Sequence, residues 1–204
     1  MDERQVKAAT LARLREEYGR RRKPIVTAEF SLGSSGIRAD LVVFANETIG
    51  FEIKTARDTL RRLPSQMHAY ARYFNHAVAI VAPCHLPNLI ADDLCGASVW
   101  TYDGEGVLSV FRTGIANVVD DAALDDLLTQ AERRTCDFRA AMKARYAATS
   151  SQFWRAVSRR SIRPDDLPLL SRFADNRAQA RRFAEERDNR WSHWLAAQGC
   201  LETA

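Results

Sequence analysis

At 204 residues the chain is long enough to bury a core without disulfides, and it fits one domain with an appendage or two small domains. Hydrophobic residues at 46% and charged residues at 27% exclude a disordered or fibrous chain, and no apolar run approaches the roughly 20 residues that a membrane-spanning helix needs. The N-terminus is charged throughout and has no apolar signal core, so the expected location is the cytoplasm, with no membrane partner.

Residues 2–20 place Val6, Ala9, Leu11, Leu14 and Tyr18 near a 3.6-residue period, with Gly19 where a C-cap belongs, and predict a helix. The basic run at 20–23 either touches phosphate or simply suits a helix C-terminus, and Pro24 ends it. Residues 25–32, 37–44 and 48–55 predict three strands joined by turns at 33–36 and 45–47, an antiparallel meander. Residues 58–74 predict a helix with the stripe Leu60, Leu63, Met67, Tyr70 and Phe74. Asp58 offers its N-cap, and Pro64 either kinks the helix or marks where its regular part begins. The run AVAIVA at 77–82 suits a strand buried on both faces. A short helix at 87–94 and two final strands at 98–102 and 106–112 complete the order αβββαβαββ.

From about residue 120 the β character ends. Residues 120–147, 151–158, 164–173 and 176–198 predict helices, so the expected domains are a core at 1–119 and a helical region at 120–204. Residues 1–134 hold 17 Lys+Arg against 18 Asp+Glu, whereas residues 135–204 hold 13 against 8. The basic end implies either a polyanion partner or a solvated helical face. Phe153, Trp154, Phe173, Phe183, Trp191 and Trp194 suit the core of a small bundle better than base stacking. The same helices offer a surface for a homodimer or a protein partner.

Cys84, Cys95, Cys136 and Cys200 have no zinc-site spacing, and His68, His76, His85 and His193 form no H-x-x-x-H pair. Reduced, mostly buried thiols are expected, and His76 and His193 show no partner in the sequence.

The stretch 36–70 carries the unusual chemistry, because charge recurs within apolar strands. Glu52 and Lys54 are two apart and share a strand face, while Phe51 and Ile53 face the other way. Across a hairpin turned at 45–48, Asp40 lies opposite positions 52–54, and Glu29 on the preceding strand is brought toward Asp40. Crowded carboxylates repel unless a cation intervenes, and Mg²⁺ takes one or two carboxylates with waters and substrate phosphate. The Ile53 backbone carbonyl can add an oxygen, Lys54 can orient water and stabilise developing charge, and Gln66 can hold water or phosphate, with Tyr70 on the same helix face. An ordinary ion pair on a half-exposed sheet is the plainer alternative. Arg57, Arg61 and Arg62 either grip a nucleic-acid backbone or pair with Asp58.

The segments RADLVVF, GFEIKT and DTLRRLPSQMHAY resemble the PD-(D/E)XK nuclease superfamily over roughly residues 25–82. The likeness is greatest to a family of small bacterial and phage proteins with E-I-K-S/T, D-T-L-x-R-L and Q-x-x-x-Y in series. The resemblance implies an α/β fold with a restriction-endonuclease-like αβββαβ core and a mixed central sheet. It further implies Asp40, Glu52, Lys54 and Gln66 as catalytic residues. Glu29, Asp40, Glu52 and the Ile53 carbonyl become metal ligands for Mg²⁺, which Mn²⁺ can replace. The expected activity is metal-dependent hydrolysis of DNA, with Arg38, Arg57, Arg61 and Arg62 on the nucleic acid. The alternative is a catalytically silent nucleic-acid-binding or protein-interaction module on the same fold, such as a defence, toxin or phage component.

Overall fold

The computed structural model describes residues 1–19, 22–90 and 92–171. Among these, six strands form one mixed sheet in sequence order: β1 (Ile25–Ser31), β2 (Arg38–Phe44), β3 (Thr48–Lys54), β4 (His76–Val81), β5 (Ser98–Tyr102) and β6 (Leu108–Arg112). β1, β2 and β3 are the expected antiparallel meander. β4 and β5 continue the sheet parallel to β3, and β6 closes it antiparallel. Parallel neighbours need crossovers. The first is made by the helix α2 (Leu63–Tyr73) and the second by two 3-10 segments, Pro83–Asn88 and Asp92–Leu94. The helix expected at 87–94 therefore does not form, and Pro87 lies inside the first of these 3-10 segments. α2 starts at Leu63 rather than 58, so Pro64 marks the beginning of the regular helix and does not kink it.

Strand alternation sorts the core into two layers. Val42 and Phe44 of β2 pack with Met67, Tyr70 and Phe74 under α2, while Leu41 and Val43 pack with Phe51, Ile53 and Ile80 on the other face. That second face is covered by α1 (Glu3–Glu17), which opens on a reciprocal capping box between Asp2 and Gln5 and buries Val6, Leu11 and Leu14.

The helices after residue 120 fall differently from expectation. Three N-caps, Asp120, Thr129 and Asp137, each accept a backbone N–H three residues on and cut the predicted helix into α3 (Asp121–Asp126), α4 (Gln130–Thr135) and α5 (Phe138–Ala156). α5 then runs without a break through 148–150. Ser150 does not terminate it, because its hydroxyl is used across the fold: it accepts the Val26 N–H at 3.0 Å and donates to the Pro24 carbonyl at 3.3 Å. The Trp154 indole donates to the same carbonyl at 2.9 Å. Phe153 and Trp154 are thus core residues of the sheet's α1 face rather than of a separate bundle. Pro164–Leu170 is 3-10 rather than α-helical. Residues 1–171 make one compact unit, so position 120 marks a change of secondary structure within it. The helix predicted at 176–198, with Phe173, Phe183, Trp191, Trp194, His193 and Cys200, lies outside the described residues.

Cys84 is exposed and Cys95 and Cys136 are half-buried, all three as free thiols, which corrects the expectation of buried cysteines. No helix among the described residues is long and apolar enough to cross a membrane.

Candidate functional site

β3 carries Gly50, Glu52 and Lys54 on the face toward α2. An added Cβ at Gly50 would overlap the Phe74 and Tyr70 rings, so the glycine is what lets α2 lie close on the strand. That approach delivers two donors to Glu52, which is only 3% exposed, and Lys54 on the same strand adds a third. Lys54 Nζ reaches Oε1 at 2.6 Å, the Gln66 amide donates to the same oxygen, and the Tyr70 hydroxyl donates to Oε2 at 2.7 Å. A buried carboxylate needs such partners, since an uncompensated one is costly. Burial, followed by the charges of Glu52 and Asp40, holds the Tyr70 hydroxyl well above its ordinary pKa, so it stays a donor. Gln66 and Tyr70 are one helical turn apart on α2, as their spacing requires. The Gln66 Oε1 atom is buried and unpartnered among the described residues.

On β2 the ladder with β3 ends at Leu41↔Phe51, which leaves Asp40 facing the end of β3 without a backbone pairing. Its Oδ2 accepts the Ile53 N–H at 2.8 Å. A strand residue directs its N–H and C=O to the same side, so the Ile53 carbonyl opens onto this gap as well. Burial and the neighbouring Glu52 charge raise the Asp40 carboxyl to about 7, against the opposing pull of Lys7 and the Ile53 N–H. On β1 the pairs Ala28↔Leu41 and Phe30↔Ala39 place Glu29 across from Asp40. Glu29 has a left-handed backbone with φ 60°, a conformation costing a non-glycine residue about 1 kcal/mol or more. Its carboxylate meets Lys7, and Arg38 Nε at 2.7 Å.

Lys7 and Glu3 were not anticipated. Lys7 rises from α1 with only 4% of its surface exposed. Its ammonium pairs with Glu3 at 2.6 Å, with Glu29, and with Asp40 at 3.4 Å. Burial alone would lower its pKa, but the Asp40, Glu29 and Glu3 carboxylates outweigh burial and raise it. Carboxylate oxygens of Glu3, Glu29 and Asp40 lie within 4.8 Å of one another. Lys7 stands on the stripe that Leu11 and Leu14 occupy, but a long lysine there can equally reach past the leucines to solvent, so the stripe alone does not mark it.

The predicted residues therefore divide. Glu29 and Asp40 join Glu3 in one carboxylate group, while Glu52 is taken up by Lys54, Gln66 and Tyr70 and stands outside that group. Asp40 links the halves through the Ile53 N–H. Arg38 is paired with Glu29 through Nε and is otherwise exposed. Arg57, Arg61 and Arg62 are exposed at the turn entering α2, and their side chains make no ion pair among the described residues. Asp58 does not pair with them. It accepts the Thr55 N–H and hydroxyl at 2.7 and 2.6 Å, and these bonds outweigh burial and lower its pKa. His76 does have a partner, Glu47 at 2.8 Å, but it sits at the far end of β3 from Lys54.

The donor set fits a hard divalent cation. Carboxylate oxygens from Glu3, Glu29 and Asp40, with a backbone carbonyl such as that of Ile53, are the kind of ligand that Mg²⁺ and Mn²⁺ prefer.

These features define a mixed α/β protein with a carboxylate–lysine centre where β2 and β3 diverge. The chain belongs to the family described as Bacteriophage P4 protein cII, which it matches over residues 1–136, a span that includes every residue of the centre. No curated protein sequence matches it. A solved structure, the SPO1766 protein of unknown function from Silicibacter pomeroyi, is similar with a TM-score of 0.50 at 14% identity, covering 78% of this chain and 93% of that one. That likeness concerns the fold alone.

Proposed function

We propose that the protein is a metal-dependent nuclease of the PD-(D/E)XK type that hydrolyses DNA phosphodiester bonds. The observation that carries this reading is the hydrogen bond from Ile53 to Asp40, which fixes an aspartate of one strand against the Glu-x-Lys of the next. Asp40 and Glu29, with Glu3 and the Ile53 carbonyl, would hold Mg²⁺ or Mn²⁺. Such an ion supplies Lewis acidity, making water acidic enough to attack at neutral pH and offsetting charge on the phosphate. Lys54 stands beside Glu52, where its ammonium can orient the water and balance charge that develops on the phosphate oxygens. Gln66 and Tyr70 keep Glu52 in place. Arg57, Arg61 and Arg62, exposed at the same end, can grip the nucleic-acid backbone, a contact that weakens with salt. Membership of a phage protein family fits a role in handling phage or mobile-element DNA.

Lys7 favours a second reading, a nucleic-acid-binding module without chemistry, because its ammonium already neutralises the carboxylate group. Cleavage assays separate the two. Purified protein is expected to nick or cut labelled linear, nicked, single-stranded or branched DNA with Mg²⁺ or Mn²⁺. Lys54→Ala and Asp40→Asn should reduce the rate by about a hundredfold or more while circular dichroism stays native. Salt-dependent binding with no cleavage of any substrate supports the silent module and overturns the nuclease.

A further inference from the structure

The most unusual cation in the structure is the protein's own. Lys7 is buried, yet its charge is not the product of a surface ion pair: three carboxylates from three elements, Glu3 on α1, Glu29 on β1 and Asp40 on β2, converge on one ammonium. The same three side chains offer oxygens close enough to share a single ion. One volume thus serves two cations, and both cannot occupy it at full charge, since an ammonium beside a divalent ion is strongly repelled at low dielectric. Lys7 is itself 4% exposed, so its ammonium is held by these carboxylates and not by solvent.

We propose that Lys7 is an exchangeable counter-ion, which neutralises the Glu3, Glu29 and Asp40 group in the metal-free protein and leaves it when a divalent cation binds. The inference rests on the metal-centre reading above. It makes Lys7 a positioning residue. Its ammonium keeps three repelling carboxylates gathered in the orientation that the incoming cation requires, at the cost of competing with that cation. Glu3 and Lys7 are separated by one helical turn, so a Lys7 that swings outward remains close to the Glu3 carboxylate near the surface, where Glu3 is half exposed.

Mn²⁺ binding and lysine footprinting test this without reference to catalysis. Mn²⁺ affinity is measured by electron paramagnetic resonance for wild type, Lys7→Met and Lys7→Arg. Lys7→Met is expected to bind Mn²⁺ roughly tenfold tighter or more and to melt at lower temperature when metal-free, with Mn²⁺ recovering the difference. Lys7→Arg retains a charge and should stay near wild type. In wild type, acylation of Lys7 read by mass spectrometry should be slow without metal and accelerate as Mn²⁺ saturates. Equal or weaker Mn²⁺ binding by a folded Lys7→Met overturns the exchange and leaves the metal centre standing. Lys7 that stays protected at saturating Mn²⁺ does the same, and needs no variant. If neither wild type nor Lys7→Met binds Mn²⁺, the metal centre itself is wrong and the exchange falls with it.

Discussion

Tyr70 shows how much a single hydroxyl can matter at this centre. It is fully buried and supplies the donor for Glu52 Oε2, an oxygen to which neither Lys54 nor Gln66 donates. Tyr70→Phe keeps the ring packing against Phe74 and removes only that donor. The expected loss is about 1–3 kcal/mol in urea unfolding, the cost of an unsatisfied buried polar group. A loss of a few tenths would mean that Glu52 Oε2 finds another donor. Most of this residue-level arrangement was legible, because two-residue alternation places Glu52 and Lys54 together and helical spacing aligns Gln66 with Tyr70. Lys7 was not legible for a physical reason. A lysine among helical leucines is read as snorkelling to solvent, and only the tertiary approach of Glu29 and Asp40 turns it inward.

At the scale of elements, α4 is tied to α5 by Glu132 and Arg145. The Arg145 Nε meets Glu132 Oε1 at 2.7 Å, and the second oxygen takes another guanidinium nitrogen, a two-point clasp. The Arg145 guanidinium, with help from Thr129, lowers the Glu132 carboxyl from 4.5 to about 2. Because its folded pKa lies below the unfolded one, its stabilisation is fully present above about pH 4.5 and is lost as pH falls toward 2. Glu132→Gln should therefore be less stable than wild type at neutral pH, and its stability should fall less steeply between pH 4.5 and 2. Parallel acid limbs for the two proteins would show that the clasp contributes nothing to folding. The break between α4 and α5 escaped the sequence reading because the apolar period continues across it. The decision was made by Asp137, whose side chain takes the Ala140 N–H and starts a new helix. Conversely, the gap expected at 148–150 closes into α5, where the Ser150 hydroxyl is bonded to another element.

Over the whole molecule, the sheet was visible in advance and the attachment of α5 to it was not. The strands and the meander follow from local patterns, whereas Val26–Ser150 and Pro24–Trp154 are contacts between distant parts of the chain. Ser150→Ala leaves the buried Val26 N–H without its partner, so a loss of about 1–3 kcal/mol is expected from thermal or urea unfolding. Amide exchange at Val26 should rise in the same variant, and unchanged protection there would show that another acceptor replaces the hydroxyl. The route of the chain through this clamp also has a temporal meaning. The clamp closes over 124 and 130 residues of separation, and it holds the start of the strand that bears Glu29. On a ribosome the chain emerges N-terminus first, so Glu3, Glu29 and Asp40 are all synthesised long before the helix that seals β1 exists. The carboxylates are consequently made well before the helix that completes their setting, and a nascent chain that stops short of Ser150 carries them without their final shape.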